Sequence, residues 1–378
     1  MSEDRLSAGE VMVRGSEAAD SDQLCSLFAS ISMDADLRLS VERSPDFFRL
    51  YSIQKGGWKT MVAEHGGQLY GLASMLQRDA WLGGERMSLG YAGDLRFHPR
   101  LRGREFLGQV FGPLYHGFCE ELGFRLALTA VIHSNHAAMA SLVNRSTEHP
   151  GKPLYQLLFP FRILNIQFAL RKKPRPSPYT VRRARASDLP QIEAFLAADH
   201  RERPFGYVFG EGLLEWRLAE WPGLRIGDFF LAFDGQELAG VCAAWDAREV
   251  KRFRVLAYNG RMRWVRAAFN AGSKVFGYDP LPPAGGRFRY FYLTHVSVRR
   301  EDPTVMAALV DTIYAEFHGT GYQFFSAFVM KGDPLAPAFS RFQSTALPAG
   351  LYLMSPASDP FDLSGLPPGR PGFEMALV

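Results

Sequence analysis

The chain has 378 residues, 47% of them hydrophobic and 22% charged, with a formal net charge of +4. Such a chain is long enough for two cores, and its charge is too mild to imply a nucleic-acid partner on its own. Three widely spaced cysteines, Cys25, Cys119 and Cys242, give no basis for a disulfide framework or a zinc site, and no apolar run reaches the length of a membrane span.

The opening MSEDRLSAGE is acidic and polar, unlike a signal peptide, so residues 1–10 are expected to be disordered and the protein cytoplasmic. Val11 to Val13 begins a strand, and Leu24, Leu27, Phe28 and Ile31 recur at helical spacing. Val62 to Gly71 reads as two strands about a glycine turn. Met87 to Phe97 is a long strand that His98-Pro99 stops. Arg100-Leu101-Arg102-Gly103-Arg104 forms a basic turn. From Glu105 the apolar spacing of Phe106, Val110, Leu114 and Phe118 predicts a helix to about Leu122. Phe124 to Ile132 reads as a buried strand, and Ser134-Asn135 caps a helix carrying Ala138, Met139, Leu142 and Val143. Tyr155 to Phe168 predicts two closing strands.

The middle of the chain repeats this beginning. Val13-Arg14 through Asp20 matches Val181-Arg182 through Asp188, and Val62 to Gly71 matches Leu231 to Gly240 at nearly the same spacing. Two shared patterns at one spacing argue for two copies of one fold. The expected organisation is a first domain over 11–170 and a proline-spaced basic linker at 171–178. A second domain follows over 179–356, and an irregular Pro/Gly-rich tail over 357–378. The second copy carries an insertion from Lys251 to Gly286, with a helix around Arg263 to Asn270. Phe288 to Val298 is its long strand, Arg299 to Pro303 its turn without glycine, and Tyr322 to Met330 its next strand. Most of its aromatic residues, from Trp216 and Trp264 to Tyr290 and Tyr292, are expected in the core. Arg261, Arg263 and Arg266 are expected to face water or an acidic acceptor.

The turn from Gly93 to Gly108 is the stretch with chemistry in it. A strand, a basic glycine turn and a helix start present free N–H groups and a helix dipole to an anion such as a pyrophosphate. Arg100, Arg102 and Arg104 add charge-assisted contacts.

These elements resemble the GNAT superfamily of acetyl-CoA-dependent N-acyltransferases, whose signature turn is Arg/Gln-x-x-Gly-x-Gly/Ala. Phe97-His98-Pro99 and Arg102-Gly103-Arg104 carry the resemblance. Glu105 and Leu107 depart from it, standing where the signature has glycine and a small residue. A second register, from Arg100 to Glu105, keeps the first glycine and loses the last small residue. The resemblance covers nearly the whole chain and implies an α/β fold of two tandem GNAT-like domains, each a mixed, mostly antiparallel sheet flanked by helices.

It implies further that acetyl-CoA or another acyl-CoA is the co-substrate and that no metal is needed. The acyl-CoA would lie along Leu95, Arg96 and Phe97, with its pyrophosphate on Arg100, Arg102, Gly103, Arg104, Glu105, Phe106 and Leu107, and with Asn135 nearby. The acceptor would be an amine of a small molecule or peptide, with no membrane or nucleic-acid partner. Acyl transfer needs a base for the amine and an acid for the leaving thiolate. Asp94 is the first choice of base, with Glu64 and His98 as alternatives. The family's acid tyrosine is replaced here by Leu142-Val143, which leaves Tyr155 or Tyr115 for that role. The other reading is a silent acyl-CoA-binding or ligand-sensing protein on the same fold. The glycine kept by the first copy and lost by the second points to the first as the binding copy.

Overall fold

The computed structural model describes residues 6, 8–31, 36–101, 104–143 and 151–378, and for 104–112 the backbone alone. In the first half the elements run β1 (Met12–Gly15), α1 (Ser21–Ser30), β2 (Leu37–Glu42), α2 (Arg49–Ser52), β3 (Trp58–His65), β4 (Gln68–Leu82), β5 (Glu85–Phe97), α3 (Arg104–Leu122), β6 (Leu126–Ile132), α4 (His136–Ala138) and β7 (Leu154–Gln167). The second half runs β8 (Thr180–Arg183), α5 (Leu189–Glu202), β9 (Gly206–Tyr207), α6 (Leu213–Glu220), β10 (Phe229–Asp234), β11 (Glu237–Trp245), β12 (Arg252–Tyr258), α7 (Arg261–Phe276), β13 (Tyr290–Val298), α8 (Pro303–Phe317), β14 (Phe324–Met330) and β15 (Ser344–Ser355).

Both halves join one sheet, in the order β1-β3-β4-β5-β6-β15-β7-β14-β13-β11-β10-β8. Read from either edge inward the order is the same, with β15 and β7 at the centre. Each half therefore sends its last strand across to the other: β15 pairs with β6, and β7 pairs with β14. Tyr155 to Phe168 is one continuous strand rather than the two expected, because its outer part must follow β15 while its inner part reaches β14. A separate ribbon of β2 and β12 also crosses between the halves.

The repeat is preserved down to single bonds. Arg14 Nη1 meets Asp20 Oδ2 at 2.7 Å, and Arg182 Nη1 meets Asp188 Oδ2 at 2.7 Å. In both places the same carboxylate accepts a backbone N–H three residues earlier, from Glu17 at 2.8 Å and from Arg185 at 2.7 Å. Each pair thus fastens an outer strand to the turn that starts the first helix. Arg175, in the segment between the copies, is held by Asp311 at 2.8 Å. The end of the chain has little regular structure but is buried, with Arg370, Met375, Ala376 and Leu377 all in the interior. Most second-half aromatics are interior as well, with Trp264 exposed instead.

Candidate active site

β5 and β6 run parallel for only three residue pairs, Leu89 with Leu126, Gly90 with Ala127 and Tyr91 with Leu128. Beyond Tyr91 β5 continues against β4 alone, so the two strands open into a wedge. One side-chain bond, Thr129 Oγ1 donating to Ala92 O at 2.8 Å, spans its neck. Past the neck β5 bulges: Asp94 and Leu95 sit opposite Ala73 alone, and Asp94 takes φ +53°. A non-glycine residue holds that conformation only where its surroundings fix it. α3 begins at the wedge mouth, following Arg102 and Gly103, which lie outside the described residues.

The carboxylate of Asp94 is what the surroundings fix. Arg43 Nη2 pairs with its Oδ2 at 2.7 Å, and the Tyr51 hydroxyl donates to the same oxygen at 2.6 Å while lying 2.9 Å from Ser74 Oγ. The Arg43 guanidinium is buried over the rings of Phe28, Phe47 and Tyr51, 4.7 to 5.2 Å from their centroids, and its Nε and Nη1 have no hydrogen-bond partner. Burial alone would raise the Asp94 pKa, but the charges of Arg43 and Arg96 and the Tyr51 bond outweigh it and hold the carboxyl below its ordinary range.

The β2–β12 ribbon brings a cation of the other half to this place. Glu42 pairs with Arg252 in its register, so Arg43 and Lys251, the next residue on each strand, leave the ribbon at the same end. The Lys251 ammonium is buried and donates to the backbone oxygen of Val378. Burial, reinforced by repulsion from Arg43 and Arg96 and opposed by Asp94, brings its pKa down from 10.5 to about 7.

Beside the wedge lies a cavity of about 310 Å³, lined at one end by the neck residues Gly90, Tyr91 and Leu128 and by Val378. Three arginines line it, Arg78, Arg86 and Arg217, and the guanidiniums of Arg78 and Arg217 both lie on the ring of Tyr207, at 3.9 Å and 4.4 Å. Arg217 donates to His295 Nε2 at 3.0 Å and lies 3.8 Å from Glu374. Arg78 instead reaches only backbone oxygens, of Phe205 at 2.8 Å, Gly372 at 2.5 Å and Asp79 at 3.1 Å. Within the cavity Arg78 and the buried Arg217 thus face Glu374, while the other lining carboxylates, Asp79 and Glu211, are taken by Arg86.

The second half has the same wedge and closes it. β13 and β14 pair over three residues from Tyr290 and Phe324, and β13 bulges at His295, with φ +52°. Here the end of the chain enters the opening. Glu374 Oε1 accepts the bulge amide of His295 at 2.8 Å, Phe373 packs 5.3 Å from Phe328, and Arg370 pairs with Asp333 at 3.0 Å. What remains is a void of about 20 Å³, room for a single water. The helix start is closed too: Asp302 caps α8 by accepting from Thr304 N at 2.8 Å, and Pro303 removes a donor. Arg299 is paired with Asp234 and Glu237.

Of the residues singled out from the sequence, Asp94, Leu95, Arg96 and Phe97 lie on the free arm of the first wedge. Arg100 follows in a short turn and donates to the Tyr70 hydroxyl at 3.1 Å. Arg104, Glu105, Phe106 and Leu107 form the first turn of α3. Asn135 lies three residues past the end of β6 and caps α4, its Oδ1 accepting from Ala138 N at 3.2 Å. Two candidates are not brought to the site. Glu64 is committed to Arg14 at 2.7 Å, and Tyr155 is buried in an apolar cluster with Tyr115, Phe118 and Phe124. Neither lines the cavity, and neither do Asp94 and Lys251, but those two lie with Arg43 at the end of the β2–β12 ribbon. Among the described residues no cluster of His, Cys, Asp or Glu suits a metal ion.

With this geometry in hand, solved structures of the same plan can be recognised. A Saccharomyces cerevisiae N-myristoyltransferase with bound myristoyl-CoA superposes with a TM-score of 0.60 at 12% identity, over 92% of this chain and 79% of that one. A GCN5-related N-acetyltransferase from Sphaerobacter thermophilus does so with a TM-score of 0.57 at 13% identity, over 97% and 98%. The fold is a tandem GNAT fold. By sequence, no family model and no curated relative matches the chain. At these identities the GNAT likeness is one of fold, and the chemistry must be argued from this chain's own residues.

Proposed function

We propose that the protein is an acyl-CoA-dependent N-acyltransferase that works through its first wedge. The observation that carries this is the asymmetry between the wedges: the first opens beside a 310 Å³ cavity, and the second is filled by the chain's own residues 370–375. Acyl-CoA pairs along the free edge of Gly93 to Phe97, with its phosphates at the start of α3. The thioester then lies near the bulge, and the acceptor amine comes from the cavity. Attack by the amine nitrogen on the thioester carbon forms the amide and breaks the C–S bond. The proton shed by the nitrogen passes to Lys251, and from there to the departing thiolate.

Lys251 suits that role better than Asp94. A base works best with a pKa near the working pH, and that of Lys251 is about 7. Asp94, held ionised by Arg43, is a weak base and serves to position the cluster. The surplus cation at Arg78 and Arg217 favours an acceptor that carries a carboxylate as well as its amine.

The test is acyl-CoA consumption across amines with and without a carboxylate, in wild type and in Lys251→Met. The variant should lose about 10²- to 10⁴-fold in rate while still binding acyl-CoA by calorimetry, and the wild-type rate should fall below about pH 7. Binding without turnover for every amine would leave a silent acyl-CoA-binding protein. The sign of the linked stability effect is fixed. Between about pH 7 and 10.5 the unfolded chain keeps a proton on Lys251 that the folded chain has lost, so stability rises with pH there. Lys251→Met should flatten that slope.

A further inference from the structure

The insertion that supplies Lys251 goes on to α7, RMRWVRAAFNAGSKVF, which has four cations and no acidic residue. Its inner face is set by Met262, Arg266, Asn270 and the buried Ser273, at helical spacing. The following loop locks that orientation. Asn270 Oδ1 accepts from Leu281 N at 2.8 Å, and Arg266 Nε donates to Pro282 O at 3.2 Å. A helix fixed this way would ordinarily turn its apolar stripe inward. This one turns it out. Trp264, Ala268, Ala271 and Val275 follow one another along the outer face, with Val265 and Phe276 beside them. Exposure is 76% for Trp264, 77% for Val275, 57% for Phe276 and 49% for Val265. Arg263 and Lys274 border the stripe on one side, exposed and in no ion pair among the described residues.

From this placement we infer that α7 is a docking face for an anionic lipid bilayer. It lies in the plane of the interface, with the stripe among the acyl chains and Arg261, Arg263 and Lys274 on the headgroups. An exposed apolar stripe flanked by cations, on a helix of low overall hydrophobicity, is the physical requirement for such binding, and negative surface potential adds to it for each nearby cation. Charge decides among the occupants. A second copy would set the same cations against one another across a two-fold contact. A nucleic acid would satisfy the cations but leave Val265, Val275 and Phe276 in water. The helix is too short to span the bilayer, and among the described residues no helix is long and apolar enough to do so. This inference stands apart from the acyl-transfer reading, since α7 contributes nothing to the lining of the cavity.

The experiment is co-sedimentation of the full chain with vesicles of phosphatidylcholine alone or mixed with phosphatidylglycerol. Binding is expected to the mixed vesicles, to weaken with salt, and to fall about fivefold for each of Arg263→Gln and Lys274→Gln. Brominated lipid should quench the wild type more than Trp264→Phe, which still binds. Trp264→Glu with Val275→Glu should lose binding while keeping acyl-CoA affinity by calorimetry, which shows that it has folded. Four results would overturn the inference: no binding to the anionic vesicles at low salt, equal binding to both kinds, binding retained by the Glu variant, or a lipid-free dimer that the Glu variant dissolves.

Discussion

The two halves share a strand plan and differ in what occupies it. Each opens two parallel strands after three residue pairs, and each bulges its long strand at a non-glycine residue of positive φ, Asp94 in one and His295 in the other. In the first half the bulge side chain is held by Arg43 and Tyr51, and a cavity lies beside the wedge. In the second the bulge amide is taken by Glu374, and residues 370–375 fill the opening. A duplicated fold thus keeps its backbone geometry while one copy gives up the space a ligand needs. The residues that close the second wedge help to line the cavity beside the first, since Phe373 and Glu374 border both.

The sharpest way to break this comparison is to remove the group at each bulge. Asp94→Ala strands the buried Arg43 guanidinium without its counter-ion and should cost about 3–5 kcal/mol in urea unfolding. Glu374→Ala leaves the His295 amide without its acceptor and removes the carboxylate of a looser pair, 3.8 Å from Arg217 against 2.7 Å for Arg43 and Asp94, and should cost about 1–3 kcal/mol. A larger loss at Glu374 would mean that the second bulge, rather than the first, is the electrostatic centre. Next come the two turns. Arg102→Ala with Gly103→Val should lower acyl-CoA affinity by about ten- to hundredfold, while Arg299→Ala with Arg300→Ala should leave it unchanged in the same calorimetric titration. The reverse outcome would move the cofactor to the second half. The smallest effects belong to the twin outer pairs. Arg14→Ala and Arg182→Ala should each cost about 1 kcal/mol or less, with Arg14 a few tenths the larger because it also holds Glu64. Clearly unequal losses would mean that matching geometry conceals different loads.

Much of this architecture was legible in the sequence because it rests on local signals. The paired stretches Val13 to Asp20 and Val181 to Asp188 predicted the duplication, and the Arg–Asp pairs inside them show why the stretches match: each closes the same turn. The strand that ends at Phe97 and the helix that starts at Arg104 were legible for the same reason. The candidate site was legible only along β5. Asp94, Leu95, Arg96 and Phe97 are consecutive, whereas Arg43, Lys251, Arg78, Arg217 and Glu374 come from five separate segments. No spacing links them, since β2–β12 pairing and the buried end of the chain bring them together. Glu64 and Tyr155 had the right chemistry, but their partners, Arg14 and an apolar cluster, commit them elsewhere. Trp264 is the exception among second-half aromatics of which most were expected in the core, because the sequence does not say which face of a helix is covered.

The sequence by itself determined the two copies, the long strand before the basic stretch and the helix and apolar strand after it, but not β2 and β12, which lie outside its periodic runs. Periodicity and turn chemistry act over a few residues, and a repeat displays them twice. Only the tertiary structure decided that β7 and β15 change places at the centre of one sheet and that the second wedge is closed from within. It also decided that a lysine of the second half reaches the bulge of the first. Those outcomes depend on which surfaces exclude water from one another across the whole chain, and burial is what brings Lys251 to a pKa of about 7 beside Asp94.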